Sequence, residues 1–142
     1  MPALTDLSLH LRIAGVLLLG VALSHLILPR AMGWRVELRA VSLMTRQVSY
    51  VHTYFIGLMC GLFGLVAVLM PGELLSADQL AVPVLVGALV VWGSRLLVQL
   101  FVFDPALWRG RTLTVLGHCA FVTLWSYLTL VFAWALAHQL GA

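Results

Sequence analysis

Four apolar stretches, each long enough to cross the hydrocarbon core of a membrane, dominate the sequence. A helix rises about 1.5 Å per residue and the core is about 30 Å thick, so one span needs about 20 apolar residues. The stretches occupy residues 11–29, 48–70, 81–103 and 113–137. They lack the alternation of a barrel strand, and a helix satisfies its own backbone hydrogen bonds in lipid. The sequence therefore predicts four transmembrane helices.

The composition favours one membrane domain. Of the 142 residues, 63% are hydrophobic and only 9% are charged, whereas about 25% are charged in an average soluble protein. No internal repeat or flexible linker is visible in the chain, and short connections make consecutive helices antiparallel neighbours. We therefore expect an all-α fold, a polytopic membrane protein in which residues 1–142 form one up-down four-transmembrane-helix bundle.

The connection after the first span is predicted to contain a short amphipathic cytoplasmic segment. Residues 31–47 are too charged to span a membrane. Trp34, Leu38, Val41 and Met44 recur at helical spacing, with charged residues off that stripe, which is typical of a helix lying in the membrane interface. A plain connecting loop is the alternative.

Prolines mark the expected helix ends. Pro29 disfavours helical geometry in the residue before it and is predicted to end the first helix, as Pro71 is predicted to end the second. Asp104 followed by Pro105 predicts a helix start with Asp104 as the cap. Gly110 is predicted to end that short turn.

Arginine placement predicts the orientation in the membrane. All eight basic residues are arginines, and six of them flank the first and third connections, whereas the charged residues of the second connection are both acidic. Of the other two, Arg95 lies within the third span, and Arg12, near the N-terminus, is the exception to this distribution. The positive-inside rule places the arginine-bearing loops in the cytoplasm and both termini on the outer face. We expect a multi-pass protein of a bacterial-type inner (plasma) membrane that contacts lipid and no nucleic acid, because no soluble basic surface remains to hold a duplex.

Three histidines lie at a similar predicted depth in three different spans. Each is about 7 to 10 Å inward of the nearest flanking arginine, counted at the helical rise. A histidine within a span is costly unless it faces the bundle interior, a partner or a ligand. His25, His52 and His118 together therefore predict a site, although an interhelical hydrogen bond is the alternative for each one alone.

The third and fourth spans add polar and aromatic groups. Trp92, Arg95 and Gln99 share one helix face by their spacing, and Trp125 shares a face with His118. No Asp or Glu occurs within the predicted spans. Because a buried guanidinium without a counter-charge is unfavourable, Arg95 predicts an anionic ligand such as a carboxylate, a lipid phosphate or a haem propionate. The candidate cofactor-binding residues are His25, His52, His118, Arg95, Gln99 and Trp125.

Charge also favours haem among the possible metal sites. A bare Zn²⁺ or Fe²⁺ on neutral histidines would add two positive charges near Arg95, whereas haem iron carries its own porphyrin dianion and offers propionates to arginine. We therefore expect haem b, with its iron bound by two of His25, His52 and His118, the pair being left open. A non-haem metal is less favoured and would need carboxylates from a partner subunit.

In size and number of helices the chain resembles four-helix membrane haem proteins, among them the bacterial protoporphyrinogen oxidase family. The resemblance implies a haem within a helical bundle. It is one of architecture and assigns no residue a role, because no stretch of the chain matches that family's motifs.

Three functions are open from the sequence. The first is a small haem- or quinone-linked redox protein or a subunit of a redox complex. The second is a non-catalytic accessory or assembly subunit that docks on the partner subunits of a larger membrane complex, or on a second copy, through the small-residue face of Gly57, Gly61 and Gly64 and through the amphipathic cytoplasmic segment. The third is a lipid-binding or lipid-modifying enzyme that holds an anionic headgroup at Arg95, with His52 or His118 as acid or base.

Overall fold

Long helices account for most of the chain. The structure, a computed structural model, describes residues 2–76, 79–107 and 112–141, with side chains from Asp6 onward. Within these ranges every regular element is helical and no strand occurs. The long helices are α1 (Pro2–Ala31), α3 (Leu43–Leu69), α5 (Ala81–Phe101) and α6 (Thr112–Gln139). The short elements are α2 (Trp34–Glu37), α4 (Pro71–Leu75) and a 3-10 helix (Pro105–Leu107).

All four long helices have the length and hydropathy needed to cross a membrane. The predicted all-α class with four apolar spans is confirmed, and the chain is a multi-pass membrane protein. The prediction that residues 1–142 form a single domain stays a prediction.

The helix ends differ from the predicted ends where a polar cap or a glycine decides them. α3 begins at Leu43 rather than at residue 48, because the Ser42 hydroxyl accepts a hydrogen bond from the backbone N–H of Thr45 at 3.2 Å and so caps the helix. Asp104 acts as predicted: its carboxylate accepts from the N–H of Ala106 at 2.8 Å at the start of the 3-10 helix. Gly110 lies outside the described residues.

Pro29 does not end α1, and that prediction was wrong. α1 continues to Ala31, because the fixed φ of proline is compatible with a helix and only one backbone hydrogen bond is lost so close to the helix end. Gly33 ends it instead. Its φ of 63° lies in the left-handed region that glycine adopts without steric cost, and its N–H donates to the carbonyl of Arg30 at 3.1 Å.

The segment after α1 is less helical than the predicted amphipathic helix. Only Trp34–Glu37 forms a helical turn, and the chain then turns again before Ser42. The Trp34 ring packs edge-on against Tyr50 of α3, with ring centroids 5.5 Å apart. This aromatic contact attaches the connection to the helix that follows it.

The chain divides into two compact units. The first unit, Arg12–Met70, pairs most of α1 with α3 in antiparallel orientation. Glycines allow the two backbones to touch: a Cβ built on Gly15 would lie 2.7 Å from the carbonyl oxygen of Gly64 and 2.9 Å from the backbone nitrogen of Val68. The first unit therefore depends on close backbone approach, as small residues permit in membrane helices.

The glycine face of α3 is already occupied within the first unit. A Cβ on Gly57 would lie 2.9 Å from Cβ of His25, one on Gly61 would lie 3.7 Å from Cβ of Ala22, and Gly64 is equally close to α1. The expectation that Gly57, Gly61 and Gly64 form a free surface for a partner or a second copy is therefore corrected, since α1 of the same chain covers it.

Arg12, the exception to the arginine distribution, has a local role in the same unit. Its guanidinium donates from Nη1 to the carbonyl oxygen of Val68 at 3.2 Å. This carbonyl is among the last four of α3, which lack donors within their own helix. The positive charge of Arg12 also suits the negative end of the α3 dipole.

The second unit comprises Met1–Leu11 and Pro71–Ala142. α5 and α6 run antiparallel, and Gln139 near the end of α6 donates from Nε2 to the carbonyl oxygens of Leu74 and Ser76, each at 2.6 Å. The beginning of α1 also packs here, where Nδ1 of His10 and the hydroxyl of Tyr127 share a hydrogen bond of 2.9 Å. Side-chain hydrogen bonds thus attach the α4 region and the beginning of α1 to α6.

Replacing Gly15 by alanine is expected to destabilise the protein. The added Cβ would press on backbone atoms that cannot move away, an overpacking cost of about 1–3 kcal/mol. Gly20→Ala on the same helix is the matched control, because nothing lies within 4 Å of its Cβ position and alanine favours a helix by about 1 kcal/mol over glycine. Thermal unfolding in detergent, followed by circular dichroism, measures both. An equal or lower midpoint for Gly20→Ala would contradict the close approach at Gly15.

Candidate functional site

The pairing of α5 with α6 brings four of the six predicted site residues together. Arg95 donates from Nη1 to the side-chain oxygen of Gln99 at 3.3 Å, one helical turn away. The side-chain nitrogen of Gln99 lies 2.9 Å from Nδ1 of His118 on α6. Gln99 is only 4% exposed, so these contacts satisfy an amide that is costly to bury alone. With Trp125, they form what we call the α5–α6 site: Arg95, Gln99, His118 and Trp125.

The arginine determines the direction of the hydrogen bonds in the α5–α6 site. A guanidinium offers only donors, so the Gln99 atom that it contacts must be the oxygen, and the amide NH₂ faces His118. The amide then donates to Nδ1 of His118, which must carry no proton. A neutral imidazole has one proton, and here it is on Nε2. His118 therefore has a donor, rather than a lone pair, at Nε2.

Stacked aromatic rings adjoin this hydrogen-bonded chain. The indoles of Trp92 and Trp125 are nearly parallel, with centroids 5.7 Å apart and an interplanar angle of 2°, and Phe121 stacks on Trp125 at 5.9 Å. The Arg95 guanidinium carbon lies 5.1 Å from the Trp125 ring centroid and 5.6 Å from that of Phe103. Such cation–π contacts are worth about 0.5–2 kcal/mol. They hold the arginine against a flat apolar surface.

Trp125 also has a polar atom that the described residues leave unsatisfied. The side chain is 3% exposed, and its indole Nε1–H has no hydrogen-bond partner within the described ranges. A buried donor without an acceptor costs about 1–3 kcal/mol. The α5–α6 site therefore combines buried stacked rings with hydrogen-bond donors.

His25 belongs to the first unit and lies beside a groove between α1 and α3. The groove has a volume of about 370 Å³ and mostly apolar walls. Nδ1 of His25 lies 2.8 Å from the carbonyl oxygen of Val21, and because a carbonyl only accepts, Nδ1 carries the proton. In a neutral ring, Nε2 of His25 then has the lone pair. Thr53, which is buried, and Tyr50 add hydroxyl groups to the groove wall.

His52 does not join His25 in this groove. Its Nδ1 donates to the carbonyl of Val48 at 3.0 Å, and its side chain is exposed. Gly57 marks the face of α3 that meets His25, and five residues at about 100° each place His52 about 140° around the helix from that face. These two histidines do not converge on one iron atom.

The six predicted residues thus fall into two groups in separate units: His25 and His52 in the first, and Arg95, Gln99, His118 and Trp125 in the second. A common layer across all four helices stays a prediction. Among the residues that the structure describes, no group of three or more His, Cys, Asp or Glu side chains is placed to hold a metal ion.

The polar residues at the mouth of the groove were not among the residues predicted from the sequence to form a site. A second cavity of about 220 Å³ is lined by Leu26, Pro29, Arg30, Arg35 and Tyr50. Arginine placement alone indicates orientation and does not show that two arginines share a cavity. The turn signal at Gly33, between Arg30 and Arg35, is the feature of the sequence that could have indicated their convergence.

Comparison of the chain with models of known protein families, with curated proteins and with solved structures gave no match.

The assigned tautomers predict distinct nitrogen resonances. In ¹⁵N spectra of histidine-labelled protein at neutral pH, we expect an unprotonated Nδ1 for His118 and a protonated Nδ1 for His25 and His52. Gln99→Glu should reverse the tautomer of His118. A carboxylate only accepts hydrogen bonds and would therefore draw the proton of the ring to Nδ1. A protonated Nδ1 at His118 in the unaltered protein would contradict the hydrogen-bond direction.

Proposed function

We propose that the chain is a small integral membrane redox protein, or a subunit of a membrane redox complex, that binds a quinone at the α5–α6 site. The observation that supports this is the directed chain from Arg95 through Gln99 to His118. It makes Nε2 of His118 a hydrogen-bond donor in the neighbourhood of stacked indoles. A quinone is flat and carries two carbonyl acceptors, and flat ligands with a few polar atoms suit such sites.

The electrostatics of the site also suit quinone chemistry. Reduction places negative charge on the quinone oxygens, and preorganised donors near that charge stabilise it. His118 supplies a fixed donor, Trp125 supplies an unsatisfied one, and Arg95 supplies a positive charge held by Gln99 and Trp125. The two electrons and two protons of a full reduction would come from a partner redox group and from the aqueous side. The role of this chain is to bind and orient the quinone.

Haem b fits the described histidines less well than a quinone does. Iron binds a histidine lone pair, and Nε2 of His118 carries a proton in this arrangement. Both His25 and His52 have a lone pair on Nε2, but they face different surroundings. If haem is bound, His25 would be the residue that holds it, and the haem would supply one-electron chemistry there.

The two other functions have less support. The accessory-subunit interpretation depended on the glycine face of α3, which α1 covers, and on the amphipathic segment, of which only Trp34–Glu37 is helical. The lipid-enzyme interpretation depended on Arg95 as a headgroup ligand, but Gln99 and Trp125 already engage that guanidinium. We place the protein in a bacterial-type inner membrane with the arginine-bearing loops in the cytoplasm, as the positive-inside rule favours.

Replacing His118 should weaken quinone binding. For His118→Leu we expect an increase of about tenfold in the dissociation constant of a short-chain benzoquinone, because one hydrogen bond of about 1–1.5 kcal/mol is lost. Quenching of tryptophan fluorescence in detergent gives the constant directly, since two indoles adjoin the site. Gln99→Glu, which reverses the His118 tautomer at almost constant size, should weaken binding to a similar degree.

The matched control for this measurement is His52→Leu. It makes the same chemical change on an exposed histidine of the other unit and should leave the dissociation constant unchanged. Equal binding by the unaltered protein and His118→Leu, or equal weakening by His52→Leu, would refute quinone binding at the α5–α6 site.

The absorption spectrum distinguishes quinone from haem. Protein purified in detergent should show no Soret band when oxidised or reduced if a quinone is its redox ligand. A stoichiometric Soret band that disappears in His25→Leu, but persists in His52→Leu, would instead establish haem b with His25 as the axial ligand.

A further inference from the structure

We propose that the groove between α1 and α3 binds an anionic phospholipid, with an acyl chain in the groove and the phosphate held by Arg30 and Arg35. The groove lies in the first unit and shares no residue with the α5–α6 site. Lipid binding therefore holds or fails independently of quinone binding.

The two cavities of the first unit adjoin each other. The apolar groove of about 370 Å³ and the arginine-lined cavity of about 220 Å³ share Leu26, Pro29 and Tyr50. A ligand can thus occupy both, with an apolar part in the groove and a polar part between the arginines. This division into a long apolar part and a compact anionic end is that of a membrane lipid.

The dimensions of the groove suit one acyl chain. From Tyr50 to Leu58 it follows α3 for about 12 Å at the helical rise, close to the depth of one leaflet, about 15 Å. Its walls include Leu23 and Leu26, which are 63% and 66% exposed. The groove is therefore open along its side, where a chain can enter from the surrounding bilayer.

The mouth of the site suits a phosphate. Arg30 and Arg35 line the same cavity, none of its lining residues is acidic, and neither guanidinium is paired with a carboxylate within the described part of the chain. Two positive charges that share a cavity repel each other, and an anion between them removes that cost. Guanidinium groups bind phosphate oxygens through paired hydrogen bonds, so arginine favours this ligand over a neutral one.

Local contacts hold the mouth in place. Trp34 packs on Tyr50, whose side chain lines both cavities. The guanidinium of Arg39 donates from Nε to the carbonyl of Arg35 at 3.1 Å. Arg35 and Tyr50 are thus positioned by neighbours that do not line the cavities.

A haem could use the same features, since His25 offers a lone pair and the arginines could hold propionates. One histidine and a wall of exposed leucines favour the acyl chain. Haem in this groove is an alternative that the experiment below would detect.

The experiment measures lipid binding to the full chain by native mass spectrometry after delipidation in detergent. The probes are phosphatidylglycerol, phosphatidylcholine, and glycerol phosphate, which has the anionic group without acyl chains. We expect phosphatidylglycerol to bind at least tenfold more tightly than phosphatidylcholine, and glycerol phosphate not to compete. Arg30→Gln or Arg35→Gln should weaken phosphatidylglycerol binding about fivefold each, and about 30-fold together, as expected for loss of arginines at an anionic surface.

Arg46→Gln is the matched control, because it removes the same charge from the first turn of α3, directly after the same connection, and Arg46 does not line either cavity. This variant should bind phosphatidylglycerol as tightly as the unaltered protein does. Equal weakening by Arg46→Gln would show diffuse surface attraction only and would overturn the proposal, as would equal binding of the two lipids. Competition by glycerol phosphate would identify a phosphate site without a lipid, and a Soret band lost in His25→Leu would identify haem. Thermal unfolding of each variant shows whether it is folded. Identification of the lipids that co-purify with each variant then shows whether a folded variant has lost lipid binding.

Discussion

Hydrocarbon offers no hydrogen-bond partners. This constraint determines which contacts the polar side chains of the spans make. His25 and His52 each donate to the backbone carbonyl four residues earlier in their own helix. Arg12 donates to a carbonyl at the end of α3, where the helix itself provides no donor. Gln99 uses both ends of its amide, between Arg95 and His118. Each of these contacts reduces the cost of a polar group at membrane depth.

The same constraint leads to two kinds of helix pairing. α1 and α3 meet through backbone contact at Gly15 and Gly64, and the groove lies further along the same pair, beside His25 and Gly57. α5 and α6 meet through bulky groups, with Trp92 stacked on Trp125 and a polar bridge at Gln99. The first pairing leaves an elongated groove along the helices, whereas the second buries stacked rings beside a chain of side-chain hydrogen bonds.

The sequence predicts the spans because hydropathy over about 20 residues reflects the thickness of the membrane. It also predicts that Arg95 and Gln99 share a face, because helical spacing places them one turn apart. It does not predict where α1 ends, since Gly33 outweighs Pro29, nor that Ser42 starts α3 early. Cavities and histidine tautomers require the contacts between helices, which one sequence does not contain. For this reason His25, His52 and His118 look equivalent in sequence and differ in the structure.

The glutamine between Arg95 and His118 has a further consequence for proton movement. A histidine passes protons along a chain by releasing one from one ring nitrogen and taking another at the second nitrogen. Nδ1 of His118 faces an amide N–H, which donates a hydrogen bond but is too weak an acid to transfer its proton to the ring at neutral pH. Nδ1 therefore takes no part in proton transfer. Any proton that the ring exchanges must be gained or lost at Nε2. The α5–α6 pair thus contains a histidine that cannot relay a proton from one ring nitrogen to the other.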